Sequence, residues 1–91
     1  MDHRIKRPTL DLHERKHHEV PSLCEKFINK NFGKEMKIIT GNSYKMKSIV
    51  IEVIMSFNLE YRVGDYINFG YIVIYSWGII WTNIYFHYII F

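Results

Sequence analysis

One cysteine in 91 residues, Cys24, leaves the chain without an internal disulfide and suits a reducing compartment. The polar, charged N-terminus contains no apolar core of a signal peptide, which argues against secretion and for a cytoplasmic protein. No internal repeat is visible. Acidic charge is in deficit. The 9 Asp and Glu against 12 Lys and Arg give a formal net charge of +3 and a pI of about 9.0. So mild a bias suits a polyanionic partner without requiring one. Most basic residues precede Ser48, with Arg4, Lys6 and Arg7 at the start and Arg15 and Lys16 beside His17 and His18 shortly after.

Charge then disappears. Residues 71–91 contain no Asp, Glu, Lys or Arg, and Ile, Tyr, Phe and Trp dominate. The stretch matches the roughly 20 residues a helix needs to cross a bilayer. Its first part, Tyr71-Ile72-Val73-Ile74-Tyr75, serves better as a strand, and residues 77–91 are then too short. Asn83 and His87 would also be costly in lipid, which argues against a membrane partner. The chain thus divides into a basic arm over residues 1–7, one domain over 8–75, and an apolar aromatic tail over 76–91 with no assigned role. A domain this small buries one core of modest net stability.

Hydrophobic spacing sets the elements inside the domain. Leu10 and Leu12 alternate with polar neighbours, predicting a half-buried strand over residues 9–13. Val20, Leu23, Cys24, Phe27 and Ile28 recur every three or four residues, predicting a helix over 18–31. Pro21 falls in its first turn, Glu19 complements its positive end, and Asn31 and Gly33 end it. Residues 36–40 read as a second strand and Gly41-Asn42-Ser43 as a turn, with Ser43 placed to cap a second helix. Met46, Ile49, Val50, Val53, Ile54 and Phe57 form the apolar stripe of that helix. Residues 59–63 and 71–75 complete the set as third and fourth strands. The order is β-α-β-α-β-β. Strands joined through helices run parallel, and the short last connection makes the fourth antiparallel. Two helices suffice for one face of a sheet, so the expected fold is an α/β two-layer sandwich with a mixed four-stranded sheet.

That topology gathers chemistry at one edge. Asp11 and His13 close the first strand, on one face by the two-residue period. Thr40, Gly41, Asn42 and Ser43 come after the second strand and lead into a helix N-terminus, whose unpaired N–H groups favour a phosphate oxygen. Lys45 and Lys47 lie in that helix's first turn and add positive charge, as do Arg15 and Lys16 after His13. The same letters admit another reading, since His13-Glu14-Arg15-Lys16-His17 fits the H-E-x-x-H pattern of zinc proteases. That chemistry needs a helix at His13 and a third ligand. The strand-like alternation, the adjacent cations and the lack of a further histidine between His18 and His87 weigh against it. A looser metal site from His13, His17 and His18 is the lesser variant, and exposed histidines near a helix start are the simplest account of His17 and His18.

With Leu10-Asp11-Leu12-His13 near the start, a helix, and Ile38-Ile39-Thr40-Gly41 before a second helix, the chain resembles the Smr (small MutS-related) domain. The likeness covers residues 8–74. It implies a β-α-β-α-β-β sandwich, a fold also similar to the C-terminal domain of a bacterial translation initiation factor. It also implies an endonuclease that nicks DNA or cleaves RNA. The family's L-D-L-H motif falls on Leu10, Asp11, Leu12 and His13, and its T-G-x-G loop on Thr40, Gly41, Asn42 and Ser43. On that resemblance His13 is the general acid or base. Asp11 orients its ring or holds a divalent cation such as Mg²⁺ or Mn²⁺, and the Thr40–Ser43 backbone binds phosphate. Two positions depart from the pattern. Glu14 replaces a glycine and brings negative charge to where a phosphodiester would approach, and Ser43 replaces the loop's second glycine. Both leave open a catalytically inactive module that binds nucleic acid or the ribosome.

Overall fold

The computed structural model of the chain describes residues 7–64 and 67–75. The first six residues of the basic arm and the apolar tail over 76–91 lie outside the described residues. Thr9–Asp11 forms β1, Val20–Lys30 α1, Met36–Ile39 β2, Tyr44–Ser56 α2, Tyr61–Val63 β3 and Tyr71–Ile74 β4. A short 3-10 turn at His17–Glu19 leads into α1.

The strands make one sheet in the order β1-β2-β4-β3. β1 and β2 are parallel neighbours, and β4 lies antiparallel between β2 and β3. β3 therefore points the same way as β1 and β2, although β4 separates it from them. Register places Leu10, Ile38, Ile72 and Val63 in one row, and Met36, Ile74 and Tyr61 in the next. Met36, Ile38, Ile72 and Ile74 of these rows join Val20, Cys24 and Ile28 of α1 and Met46, Val50 and Ile54 of α2 in a single buried cluster. The chain is a small two-layer α/β domain. Full burial of each such aliphatic side chain stabilises it by about 1.5–3 kcal/mol before the ordering cost.

The caps explain where the helices stop. Ser43 Oγ accepts the Met46 N–H at 3.1 Å and so begins α2. At its far end Asn58 adopts φ 58°. Its N–H reaches the Met55 carbonyl at 3.0 Å, and the Leu59 N–H reaches Ile54 at 3.4 Å. This is the Schellman arrangement, with Asn in the left-handed position usually held by glycine. Asn31 closes α1 in a different way, its backbone N–H and its side-chain amide both donating to the Phe27 carbonyl. Gly33, at φ 87°, then reverses the chain toward β2.

The other face of the sheet is built from charged and aromatic side chains. Lys37, Val73 and Arg62 stand opposite one another across three strands, with Tyr71 and Tyr75 two residues to either side of Val73. The Lys37 ammonium lies 4.6 Å from the Tyr71 ring centroid, and Arg62 Nε donates to the Tyr75 hydroxyl at 3.0 Å. Val73 is only 1% exposed beneath them. Among the described residues, long cationic stems laid over apolar surface help to cover it. No helix among the described residues is long and apolar enough to cross a membrane.

Candidate functional site

β1 ends earlier than alternation predicts, at Asp11 rather than His13. Leu12 still donates its N–H to the Ile39 carbonyl at 2.8 Å and is fully buried. The chain then turns away from the sheet. The Asp11 side chain makes the turn, since its Oδ1 accepts the His13 backbone N–H at 3.1 Å. The same oxygen meets His13 Nδ1 at 2.5 Å. The pairing of acid and imidazole expected from a shared strand face thus arises from a side-chain-closed turn, in which a short carboxylate satisfies a backbone donor two residues on.

Both side chains keep about half of their surface in water, 52% for His13 and 50% for Asp11. The hydrogen bond to Asp11 is the main reason the His13 pKa lies above its ordinary value, with the Asp11 charge and then that of Glu14 adding to it. The same hydrogen bond, helped by the His13 backbone N–H, holds the Asp11 pKa below the ordinary carboxylate value. With Nδ1–H donated to Asp11, Nε2 is the nitrogen left to exchange a proton. It faces Glu14 Oε1 at 3.6 Å, just beyond a hydrogen bond. Asp11, His13, Glu14 and Arg15 together line an open cleft of about 370 Å³.

Because β1 and β2 are adjacent, the loop after β2 meets this pair. Gly41 takes φ 69°, and a β-carbon there would lie 3.5 Å from the His13 β-carbon. The expected neighbours are therefore in contact at Gly41. Thr40 plays a different part from the phosphate contact expected of it. It is 2% exposed, and its hydroxyl donates to the Gly41 carbonyl at 2.9 Å. The Thr40 and Gly41 N–H groups both donate to the Gly70 carbonyl, at 2.9 and 3.0 Å. Among the described residues no acceptor takes the N–H groups of Asn42, Ser43, Tyr44 or Lys45, so the donors open to an anion begin at Asn42, two residues later than the motif suggests.

The cations are less concentrated than their spacing implies. Arg15 is exposed, and its guanidinium approaches Glu19 at 3.9 Å. The exposed Lys16 lies at the entry to the 3-10 turn, its backbone N–H donating to Glu19 Oε1 at 3.4 Å. Lys45 is exposed on the first turn of α2. Lys47 turns instead toward Tyr44, its ammonium 5.6 Å from that ring's centroid. His13 and Glu14 form a turn, so His13 and His17 do not share the helical face that H-E-x-x-H requires. No three His, Cys, Asp or Glu side chains among the described residues converge on a metal-sized site. Cys24 is fully buried, and burial pushes its thiol pKa up to about 11, which removes it as a nucleophile.

Gly70 and its neighbour Phe69 carry no signal in the sequence pattern that marks them for the site. The Gly70 carbonyl anchors the loop after β2, and its own N–H is held by Asn68 Oδ1 at 2.9 Å. An Asn-x-Gly spacing before a strand is a usable signal of such a turn, but nothing in one sequence says which loop it will brace. No family model, curated protein or solved structure matches the chain.

Proposed function

We propose that the chain is an Smr-like endonuclease that cleaves or nicks phosphodiester bonds of RNA or DNA in the cytoplasm. The observation that supports this most is the Asp11–His13 pair seated against Gly41 of the loop that opens α2. His13 Nε2 takes a proton from the attacking hydroxyl or water, or returns one to the leaving oxygen, a contribution of roughly 10²–10⁴-fold. Asp11 fixes the tautomer and stabilises the imidazolium once it forms. The N–H groups of Asn42, Ser43, Tyr44 and Lys45 face the phosphate at the positive end of α2, with Lys45, Arg15 and Lys16 as outer contacts. A Mg²⁺ or Mn²⁺ ion, where required, would rest on Asp11 and the substrate phosphate together, in keeping with the few carboxylates such ions use.

Cleavage of single- and double-stranded RNA and DNA, with and without Mg²⁺ or Mn²⁺, tests the reading. His13→Ala and Asp11→Ala should each abolish most activity, and equal activity in all three proteins would remove the site. A second reading rests on Glu14, whose carboxylate stands 3.6 Å from the reacting nitrogen. It makes the chain a module that binds nucleic acid or the ribosome without cutting. Salt-sensitive binding with no cleavage supports it, and so does cleavage that appears only in Glu14→Gly.

A further inference from the structure

Beside the proposed phosphate loop runs a second, larger cleft that the proposed cleavage chemistry leaves unused. Its volume is about 690 Å³, and Asn42, Tyr44, Lys47, Ile51, Val63 and Phe69 line it. Ile51 and Val63, packed against the core, form its aliphatic base. Two aromatic rings stand at its sides with much of their surface in water, Tyr44 at 88% and Phe69 at 52%. Among the described residues, Lys47 is the charged lining residue and no carboxylate lines the cleft. Asn42 in the lining is next in the chain to Gly41, which abuts His13.

From this chemistry we infer that the cleft seats an unpaired base of single-stranded nucleic acid, next to the phosphate held by the loop. The inference rests on the nuclease reading and narrows its substrate to single strands or unpaired segments. Exposed aromatic faces with a nearby cation stack on any base, while Lys47 and the α2 amides take the adjoining phosphates. Lys47, the charged group among the described lining residues, suits a polyanion and disfavours a basic peptide. A duplex hides its base faces within the stack and offers Tyr44 and Phe69 nothing to cover. Asn42 of this cleft follows Gly41, which abuts His13, so one strand can run from the aromatic side chains toward His13.

Fluorescence anisotropy with the His13→Ala chain, which keeps substrate intact, tests this. The probes are a short labelled oligo(dT), the matching oligo(rU), the same sugar–phosphate strand without bases, and a duplex. The base-bearing strands should bind more tightly than the abasic strand and the duplex, and comparing dT with rU separates DNA from RNA. Tyr44→Ala and Phe69→Ala should each weaken binding of the base-bearing strands by about 5- to 150-fold and leave the abasic strand unchanged, whereas Phe69→Trp should retain binding. Tyr44 is too exposed for its loss to disturb the fold, which an unchanged melting curve would verify. Equal affinity for abasic and base-bearing strands overturns the inference and leaves the nuclease reading standing. Base-dependent binding by a chain that cuts nothing with His13 intact supports the inference and overturns the nuclease reading. A dimer that dissociates in Tyr44→Ala would assign the cleft to a second copy of the chain and overturn the inference.

Discussion

On the helix side of the sheet, Met36, Ile38, Ile72 and Ile74 are each at most 1% exposed. At the carboxyl ends of β1 and β2, His13 and Asp11 leave half of their side chains in water. The first region is held by many apolar contacts that alternation dictates. The second is held by a few hydrogen bonds around one carboxylate and one glycine carbonyl. Stability and the proposed chemistry therefore fall on different residues, and substitutions should separate them.

The largest effects should fall cleanly on one side or the other. Ile38→Ala removes a fully buried side chain and should cost about 2–5 kcal/mol in denaturant unfolding, a large share of what a domain this small has. His13→Ala should leave the unfolding midpoint almost unchanged yet lower cleavage by roughly 10²–10⁴-fold. A His13→Ala chain that unfolds as readily as Ile38→Ala would show that the two regions are one cooperative structure after all.

Gly41 sits on the boundary between them. Its φ of 69° is a left-handed conformation, but a β-carbon there would meet His13 at an ordinary 3.5 Å. Gly41→Ala should therefore cost about 1–2 kcal/mol from backbone strain alone, and Gly41→Asn less, because Asn tolerates this region. If Gly41→Ala instead displaces the His13 ring resonances strongly, contact rather than backbone conformation is what requires glycine there.

The two regions also differ in how far they are legible in the sequence. Both helices, the parallel pair and the antiparallel fourth strand come from period and connection length, because Val20, Cys24 and Ile28, or Met46, Val50 and Ile54, have one packing solution each. The association of Asp11 with His13 is legible too, although for a different reason than its cause. Alternation continues through Leu12, and nothing in the pattern says that Asp11 will turn back on the His13 N–H and end the strand. The engagement of the Thr40 and Gly41 amides by Gly70 is not legible, because it joins loops some thirty residues apart in an order, β2 beside β4, that short motifs do not encode. The aromatic cleft escapes for the same reason, since Tyr44 and Phe69 line one cleft only once β3 and β4 are placed.

Ser43 offers a smaller test of the divide. Its Oγ caps α2, so Ser43→Ala should cost about 0.5–2 kcal/mol, while Ser43→Gly should cost only a few tenths. Thermal unfolding of the pair decides it. A glycine as costly as alanine would mean that the hydroxyl does more than begin the helix. If Ser43→Gly proves nearly neutral and cleaves faster, the departure at this position limits chemistry rather than fold.

The smallest effect, and the most specific to the site, is in the titration of His13. Its pKa is raised first by the hydrogen bond to Asp11 and only last by Glu14. Asp11→Asn should therefore bring the imidazole midpoint down toward the ordinary value of about 6.5, and Glu14→Gln should lower it by less. The sign carries into activity. A general base works only when deprotonated, so a raised pKa moves the acid limb of the rate profile to higher pH, and Asp11→Asn should move it back to lower pH while lowering the maximum. Imidazole resonances followed against pH measure the first, and the profile measures the second. Should Glu14→Gln shift the midpoint more than Asp11→Asn does, the proton on His13 is governed from its Nε2 side. Glu14 would then occupy the position from which a phosphate must be approached, and the non-cutting reading would prevail over the nuclease.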